Sequence, residues 1–286
     1  MEKVLVIGGS NVDYIGKCFY DVINEDSNIG NINISFGGVG RNIVENLARL
    51  GVDVTFVTNI GQDIMGHELK KELNSLGVTV YTPEGIKKSG GYLAIHDKHG
   101  NLSLALCEQS GIEKIEPKYL ETLDNLIQSY NYIVIDTNFD KTTISYLLNK
   151  YQDKTIFIDA ISTEKGKKVI GFENCISYLK CNRLEAETIF GKNYFEKFQN
   201  NNSLIVTNGS ESIEYNLGKD IYTASVDKVE AVNSIGCGDA FFSGFIFAII
   251  NGMSEKEAIE IGKKVANITL LAEGAVNKEL TKEKIL

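Results

Sequence analysis

The segment from residue 233 to residue 240 carries the residue types best suited to chemistry. Small residues at positions 236 to 238 let a ligand approach the backbone closely, because little or no side chain intervenes. An apolar helix is predicted to start at Asp239, and a helix N-terminus carries roughly half a positive charge. Three backbone N–H groups could therefore bind a phosphate there, those of Gly236, Cys237 and Gly238.

The carboxylate of Asp239 would lie in the first turn of that helix, where we expect it to stay ionised near neutral pH. A carboxylate beside a bound phosphate could accept the proton of an attacking hydroxyl. The alternative is a glycine-rich turn in which Asp239 only caps the helix.

Two further polar segments stand near the N-terminus. Residues 37–42 (Gly-Gly-Val-Gly-Arg-Asn) open an amphipathic helix, but they form neither a P-loop nor a dinucleotide-binding fingerprint. Asn11 and Asp13 are predicted to end the first strand, where both side chains would face one way and could hold vicinal hydroxyls. Both residues also suit a simple turn.

The elements around these residues alternate between short β-branched runs and helical patterns, which favours an α/β fold with a doubly wound, mostly parallel sheet. The predicted strands are Val4–Gly9, Val54–Asn59, Tyr132–Asp136, Thr155–Asp159, Ile176–Lys180 and Ser203–Thr207. The predicted helices are Asn42–Leu50, Met65–Leu76, Pro117–Gln128, Thr142–Tyr151, Leu184–Phe190, Asp239–Ile250 and Glu255–Ala272.

Two segments interrupt the alternation, residues 14–36 and 90–107. The first contains no convincing helix, and the second has the pattern of two strands around a turn at residues 97–100. Polar alternation indicates a sheet with one buried face. We expect one domain over residues 1–286, with these two segments forming a small β-sheet lid over a cleft.

Composition excludes several classes of protein. The 286 residues include 38 Asp and Glu against 29 Lys and Arg, a formal charge of −9, which argues against a nucleic-acid partner. No apolar stretch approaches the roughly 20 residues that cross a bilayer, so no membrane partner is expected. Five scattered cysteines without a Cys-x-x-Cys, and three histidines without zinc spacing, favour a reducing, cytoplasmic location.

The chain resembles the ribokinase (PfkB) family of carbohydrate kinases through four motifs in family order. They are the Asn-x-Asp at 11–13, the Gly-Gly-x-Gly-x-Asn at 37–42, the Asn-x-x-Glu at 182–185 and the Gly-Cys-Gly-Asp at 236–239. Together they span nearly the whole chain, and four ordered motifs are far more specific than any one.

The resemblance implies ATP-dependent phosphorylation of a sugar 5′-hydroxyl, with Asp239 as the general base and positions 236–238 as the anion hole. The residues that would bind the substrate are Asn11, Asp13, Gly37, Gly38, Asn42 and Asn138. Glu185 would organise Mg²⁺ through water. The alternative is that Glu185 only lies on a solvated helix face. The residues that would bind the nucleotide are Asn182, Thr207, Asn208, Gly209, Ser210 and Asn267, of which Asn267 also suits a plain polar surface.

Within the family, three strings resemble the pseudouridine kinases: residues 26–30, 37–43 and 182–187. This likeness implies pseudouridine as the substrate, with Asp26 and Asn28 facing its base from the lid. Relatives that phosphorylate ribose usually carry a lysine where Val39 stands. Ribose, another nucleoside such as inosine or cytidine, and a catalytically silent nucleoside-sensing protein stay open as alternatives.

Two positions depart from the family pattern. Asn233 stands where relatives commonly have an aspartate that helps a monovalent-cation site, so activation by K⁺ is doubtful. Cys237 replaces a usual alanine or glycine, and beside a helix N-terminus its thiol is expected to have a lowered pKa. Family lids often pair, so the resemblance also implies a homodimer through the lid.

Overall fold

The computed structural model describes residues 2–199, 202–227 and 229–286. Their strands, in chain order, are β1 (Lys3–Ile7), β2 (Asn11–Cys18), β3 (Gly30–Gly37), β4 (Asp53–Val57), β5 (Thr79–Tyr81), β6 (Gly91–His96), β7 (Leu102–Glu108), β8 (Tyr132–Asp136), β9 (Thr155–Asp159), β10 (Tyr178–Asn182), β11 (Ser203–Thr207), β12 (Ser212–Leu217) and β13 (Asp220–Ser225). Nine of them form one sheet in the order β13-β12-β11-β10-β9-β8-β1-β4-β5, in which only the pairs β11–β12 and β12–β13 are antiparallel.

Helices cover both faces of this sheet. They are α1 (Val39–Arg49), α2 (Ile64–Ser75), α3 (Pro117–Thr122), α4 (Asp124–Gln128), α5 (Lys141–Lys150), α6 (Thr163–Gly166), α7 (Arg183–Phe190), α8 (Cys237–Ile250) and α9 (Glu255–Leu270). In β1, Val4 and Val6 pack towards α1, α2, α8 and α9, whereas Leu5 and Ile7 pack towards the helices of the other face. Double coverage explains why the parallel strands are continuous apolar runs.

A separate four-stranded sheet, called the small sheet below, has the order β3-β2-β6-β7. Cross-strand register places Asp13, Tyr92 and Cys107 in one row on one face, and Tyr14, Ile34, Leu93 and Leu106 in the next row on the opposite face. The expected fold class is therefore confirmed: a mostly parallel, doubly wound α/β sheet with a small separate β-sheet.

Some local predictions were wrong. Asn11 and Asp13 do not end β1 but begin β2, the first strand of the small sheet. The predicted helix over 117–128 is divided at Leu123 into α3 and α4. The hairpin β12–β13 was not predicted, because its polar and half-exposed residues carry no continuous apolar run. Across the described ranges, no helix is long and apolar enough to span a membrane.

The chain reverses its direction of travel across the large sheet between β1 and β8. From β1 it proceeds to β4 and β5, whereas from β8 it proceeds through β9 and β10 to β11 on the other side. Ligands of open α/β sheets bind at such a switch point, outside the carboxyl ends of the strands. The fold alone therefore predicts a ligand-binding site at the carboxyl ends of β1 and β8.

Asp136 ties these two strand ends together. One of its carboxylate oxygens accepts the N–H groups of Gly9 at 2.7 Å and Gly40 at 3.1 Å, and the other accepts the N–H group of Asn138 at 3.0 Å. The side chain is fully buried, and this burial raises its pKa even though the three backbone bonds oppose the rise.

We expect Asp136→Ala to lower the free energy of unfolding by about 3 kcal/mol, because three N–H groups, two of them buried, lose their acceptor. Chemical denaturation measures the loss. Asp136→Asn is the matched control, since its single oxygen can still accept from Gly9 and Gly40, and a smaller loss is expected. An alanine variant as stable as the wild type would contradict this role for Asp136.

Candidate active site

A cleft of about 220 Å³ opens at the switch point, between the carboxyl ends of the large sheet and one face of the small sheet. The ends of β1, β8 and β9, the starts of β2 and α1, and residues of β6 and β7 contribute to its wall. Its lining comprises Gly9, Ser10, Asn11, Asp13, Gly38, Val39, Asn59, Tyr92, Cys107, Glu108, Gln109, Ile112, Asn138, Ile161 and Lys165.

One end of the cleft carries the predicted sugar-binding groups. Asn11 and Asp13 face it from β2, and the Asn11 amide donates to the Asp13 carboxylate. Gly37 and Gly38 allow this arrangement: a Cβ on Gly37 would lie 2.1 Å from the Asp13 carboxylate, and a Cβ on Gly38, whose φ is +100°, would lie 2.6 Å from the Gly9 carbonyl oxygen. Burial raises the pKa of Asp13 to about 6, despite the opposing effects of Asn11 and Arg41.

This raised pKa predicts a pH-dependent affinity for the substrate. Ionised Asp13 can accept two hydroxyl protons, whereas the protonated form loses acceptor capacity. As the pH falls through about 6, we expect the KM for the sugar substrate to rise, by up to about tenfold for each further pH unit. Steady-state kinetics between pH 5 and pH 8 measures this KM. Asp13→Asn is the control, because its KM should be high and should not vary with pH. A wild-type KM that is constant over this range would contradict the assignment.

Asn42 connects the sugar end to the start of α8. Its amide Nδ2 donates to Asp239 Oδ2 over 2.8 Å, across 197 residues of sequence. Asp239 is 9 % exposed, and neither it nor Asn42 is among the residues that line the cleft. The helix is capped by Gly236 without a side-chain cap bond, so Asp239 does not act as its N-cap. The structure thus brings the first, second and fourth sequence motifs together.

The carboxyl group of Asp239 differs from our expectation that it stays ionised near neutral pH. Burial and, after it, the neighbouring Asp159 carboxylate raise the pKa of Asp239 to about 7, although Lys180 and Asn42 oppose the rise. A group that titrates near the operating pH is well suited to general base catalysis. Burial outweighs the helix N-terminus here, and the sequence could not reveal that burial.

Lys180 is a charged residue of the site that was not predicted. Its ammonium group lies 3.0 Å from Asp159 Oδ2, and it would lie 2.8 Å from a Cβ placed on Gly238. Burial alone would lower the pKa of Lys180, but the Asp159 and Asp239 carboxylates outweigh burial and raise it. A fixed positive charge therefore lies directly over the first turn of α8, where it adds to the positive end of the helix.

The predicted anion hole has the backbone of a tight turn. Gly236 has a φ of 77°, and a Cβ there would lie 2.1 Å from the Ala275 carbonyl oxygen. The Cys237 N–H group donates weakly to the Ser234 carbonyl oxygen over 3.4 Å. Gly238 and Asp239 follow in the first turn of α8, where backbone N–H groups have no partner within the helix.

The expected low pKa of Cys237 is wrong. Burial of the half-buried thiol, together with the adjacent Asp239 carboxylate, raises the pKa of Cys237 to about 11. The neighbouring negative charge and the lost hydration outweigh the helix N-terminus. Because the thiolate is the reactive form, we expect slow modification of Cys237 at neutral pH rather than the sensitivity that the sequence suggested.

All but one of the predicted nucleotide-binding residues lie at the ends of β10 and β11. Asn182 and Glu185 form a capping box at the start of α7, with 2.8 Å bonds in both directions. Residues 207–210 form the turn between β11 and the antiparallel β12: Asn208 N–H donates to the Ser212 carbonyl oxygen over 2.9 Å, and Gly209 has a φ of 56°. The members of this turn are Thr207, Asn208, Gly209 and Ser210. Asn267 is half-buried on α9, one turn before its end.

Asp26 and Asn28 do not face the cleft. They belong to the exposed loop at the far end of the small sheet and line a separate groove. The Asn28 side chain bonds to its own loop, accepting the Ile23 N–H group at 2.8 Å and donating to the Ile23 carbonyl at 2.9 Å. The eight-residue strands β2 and β3 carry this loop about 25 Å from the cleft end of the sheet.

Several residues of the cleft were not predicted from the sequence. Lys165 Nζ donates to Asn138 Oδ1 over 2.6 Å, which places a cation beside a predicted substrate-binding amide. Tyr92 contributes an aromatic ring to the lining, and Ile161 holds a φ of 61°, which is strained for a β-branched residue. In the sequence, the one indication that Ile161 lies in the cleft is its position just after the carboxyl end of β9.

Comparison with known proteins agrees with this architecture. The family model for pfkB family carbohydrate kinases matches residues 1–282. The chain is 29 % identical to the pseudouridine kinase of Escherichia coli over 98 % of this chain and 94 % of that protein, and 27 % identical to the guanosine-inosine kinase of Exiguobacterium acetylicum over 93 % of each. A solved carbohydrate kinase from Agrobacterium tumefaciens superposes with a TM-score of 0.88 at 26 % identity, covering 100 % of this chain and 96 % of the other.

The protein is therefore a kinase, a phosphotransferase that uses ATP to phosphorylate a small sugar or nucleoside. It belongs to the pfkB family of carbohydrate kinases.

Proposed function

We propose that this protein phosphorylates the 5′-hydroxyl of pseudouridine to give pseudouridine 5′-phosphate. The observation that carries the proposal is the bond between the sugar-side amide of Asn42 and the buried carboxylate of Asp239 at the start of α8. It links the residues proposed to bind the sugar to those proposed to bind the phosphate. The similarity to the pseudouridine kinase of Escherichia coli along almost the whole chain supports the choice of nucleoside.

In the proposed reaction, Asp239 takes the proton of the 5′-hydroxyl as its oxygen attacks the γ-phosphorus of ATP. The new oxygen–phosphorus bond forms as the bond to the β,γ-bridging oxygen breaks, and ADP leaves. Asn42 engages Oδ2 of Asp239, so we assign Oδ1 to the substrate hydroxyl. The N–H groups of residues 236–238 and the ammonium of Lys180 would stabilise the charge on the transferred phosphoryl group.

Other residues of the cleft wall suit a nucleobase better than a bare sugar. Tyr92 and Ile161 offer surfaces on which a planar ring can stack, while Lys165 and Gln109 offer polar groups for its edge. The uracil of pseudouridine carries one more ring N–H than the uracil of uridine, because its link to the sugar is through carbon. We propose that Gln109 or Glu108, both on the cleft wall, accepts this additional N–H.

The expected metal ions fit the site unequally. Within the described ranges no group of three or more His, Cys, Asp or Glu side chains could hold a metal. The Glu185 carboxylate, one oxygen of which accepts the Asn182 N–H group, suits Mg²⁺ held mainly by nucleotide phosphates and water. When bound, Mg²⁺ would neutralise phosphate charge. Asn233 does not suit K⁺: its Nδ2 donates to the Glu273 carbonyl over 2.8 Å and its Oδ1 accepts from Ile235 over 3.0 Å. We propose activity that does not require K⁺.

The small sheet is proposed as the lid of the cleft and as the surface of a homodimer. Its face away from the cleft exposes a row of large apolar side chains, with Ile32 at 74 % and Leu106 at 65 % exposure. Light scattering should give the mass of a dimer, and Leu106→Lys should give a monomer. A monomeric wild type would contradict the proposal.

Five free cysteines and a need for ATP support a cytoplasmic location.

A substrate panel tests the proposed function. Pseudouridine, uridine, inosine and ribose are each incubated with ATP and Mg²⁺, and products are identified by mass, with Asp239→Asn as the matched control. We expect pseudouridine monophosphate at the highest kcat/KM, and about 10³-fold less product from the variant in the same time. Phosphorylation of ribose or inosine in preference to pseudouridine would overturn the substrate assignment. Binding of pseudouridine without turnover would indicate a nucleoside-binding protein.

A further inference from the structure

Arg41 is an unusual residue for its place in the fold. It lies in the first turn of α1 and is only 5 % exposed. A cation at a helix N-terminus is opposed by the helix dipole, and a buried charge is costly unless it is paired. Local propensity and burial both disfavour arginine here, and such violations tend to mark functional positions.

The charge of Arg41 is balanced by two carboxylates. One terminal nitrogen, Nη2, pairs with Glu45 one turn further along α1 and with Glu72 of α2, the latter at 3.1 Å. Glu45 also pairs with Arg49 at 2.6 Å. These four residues are called the α1–α2 ion cluster below. Three of them, Arg41, Glu45 and Glu72, line a separate cavity of about 200 Å³.

The second terminal nitrogen of Arg41 points the other way, towards the site. Nη1 donates to Asn42 Oδ1 over 3.2 Å, and Asn42 Nδ2 in turn donates to Asp239 Oδ2 over 2.8 Å. A guanidinium can only donate, so it fixes which end of the Asn42 amide is the oxygen. The NH₂ end must then face Asp239, where it supports the ionised carboxylate.

We propose that Arg41 is a positioning residue, whose guanidinium holds the Asn42 amide in the orientation that donates to Asp239. The inference rests on the proposed role of Asp239 as the base. Without Arg41 the amide can rotate and present its oxygen to the carboxylate, which would repel the ionised form. The α1–α2 ion cluster thereby holds Arg41 in place, and Arg41 orients the amide that donates to Asp239.

Other charged groups also surround Asp239 and stay in place when Arg41 is changed. Asp159 at the end of β9 and Asp136 at the end of β8 disfavour the ionised form, whereas Lys180 of β10 favours it. On the same helix, the Asp239 carboxylate contributes to the raised pKa of Cys237. On the side of Arg41, the facing carboxylates are Glu45, Glu72 and Asp13.

The test is the pH dependence of kcat for Arg41→Met. We expect the acidic limb of the profile to move upward by about one pH unit and kcat at pH 7 to fall about tenfold, with a nearly unchanged KM for ATP. Arg41→Lys keeps the charge of the α1–α2 ion cluster, but a single ammonium cannot also reach the amide. It should show the same shift in a more stable protein.

Arg49→Met is the matched control, because it removes an arginine from the same ion cluster without touching Asn42. It should lower stability and leave the pH profile in place. In an Asn42→Ala background, Arg41→Met should cause no further shift. A shift that persists there would show that Arg41 acts by its charge alone and would overturn the proposal.

The inference and the proposed function fail in different ways. Wild-type activity in Asp239→Asn would remove the base and, with it, the role of Arg41. If Asp239→Asn is inactive while both Arg41 variants keep the wild-type profile, only the positioning role is contradicted.

Discussion

Asp239→Asn should reduce kcat by about 10³-fold, because the substrate hydroxyl loses its general base. The asparagine keeps the volume of the aspartate and can still accept from Asn42, so the KM for the nucleoside should change little. Single-turnover measurement of phosphoryl transfer checks the expectation without interference from product release.

Stability separates a catalytic role of Asp239 from a structural one. The folded-state pKa of Asp239 is raised to about 7 from an ordinary value of 3.8, so the folded state binds this proton more tightly than the unfolded chain. The carboxyl group therefore favours folding at low pH, and its contribution falls as the pH rises towards and through 7. Asp239→Asn should accordingly be at least as stable as the wild type at pH 8.

A helix-start aspartate outside the cleft provides the control for Asp239. Asp140 caps α5 by accepting the Thr143 N–H group at 2.7 Å, and Asp140→Asn should keep normal kcat. Substantial turnover by Asp239→Asn, or an equal loss in Asp140→Asn, would contradict the assigned base.

Gly236→Ala should reduce kcat by about 10²-fold, the size of effect seen when one donor to a developing anion is lost. The new Cβ would lie 2.1 Å from the Ala275 carbonyl oxygen, which is backbone and cannot swing aside. The turn must therefore move, and the first N–H groups of α8 move with it. Steady-state kinetics of the folded variant, with circular dichroism to confirm its helices, measures the loss.

The opposite end of the same helix offers a matched control. Gly252 follows α8 with the same φ of 77°, but an added Cβ there meets nothing within 4 Å. Gly252→Ala should cost about 1 kcal/mol of stability through backbone strain alone and leave kcat unchanged. If both variants lose activity equally, strain rather than displacement of the anion site is responsible, and the assigned anion site loses its support.

Much of the large sheet could be predicted because its strands are buried on both faces. Tyr132–Asp136, Thr155–Asp159 and Ser203–Thr207 have the predicted bounds, since turn residues interrupt each apolar run. The two segments that lacked helical periodicity do form strands of the small sheet. The hairpin β12–β13 was missed because its apolar residues alternate with polar ones and form no continuous apolar run like those of the buried parallel strands.

The site was harder to predict because it depends on contacts distant in sequence. The motifs of Asn42 and Asp239 were recognisable, but their hydrogen bond joins the starts of two helices, α1 and α8. Lys180 was predicted only as the last residue of a strand, and its role follows only from the adjacent strand end at Asp159. The pKa values of Asp239 and Cys237 were misjudged because burial, which dominates both, has no local sequence signal.

The position of the new phosphate ester tests the central claim most directly. Phosphorus–proton correlation NMR of the product formed from pseudouridine and ATP should show coupling of the phosphorus to the two protons on the 5′-carbon, and Asp239→Asn should give no such signal within the same reaction time. Coupling to a different ribose proton, or the same product from the variant at an undiminished rate, would contradict the account.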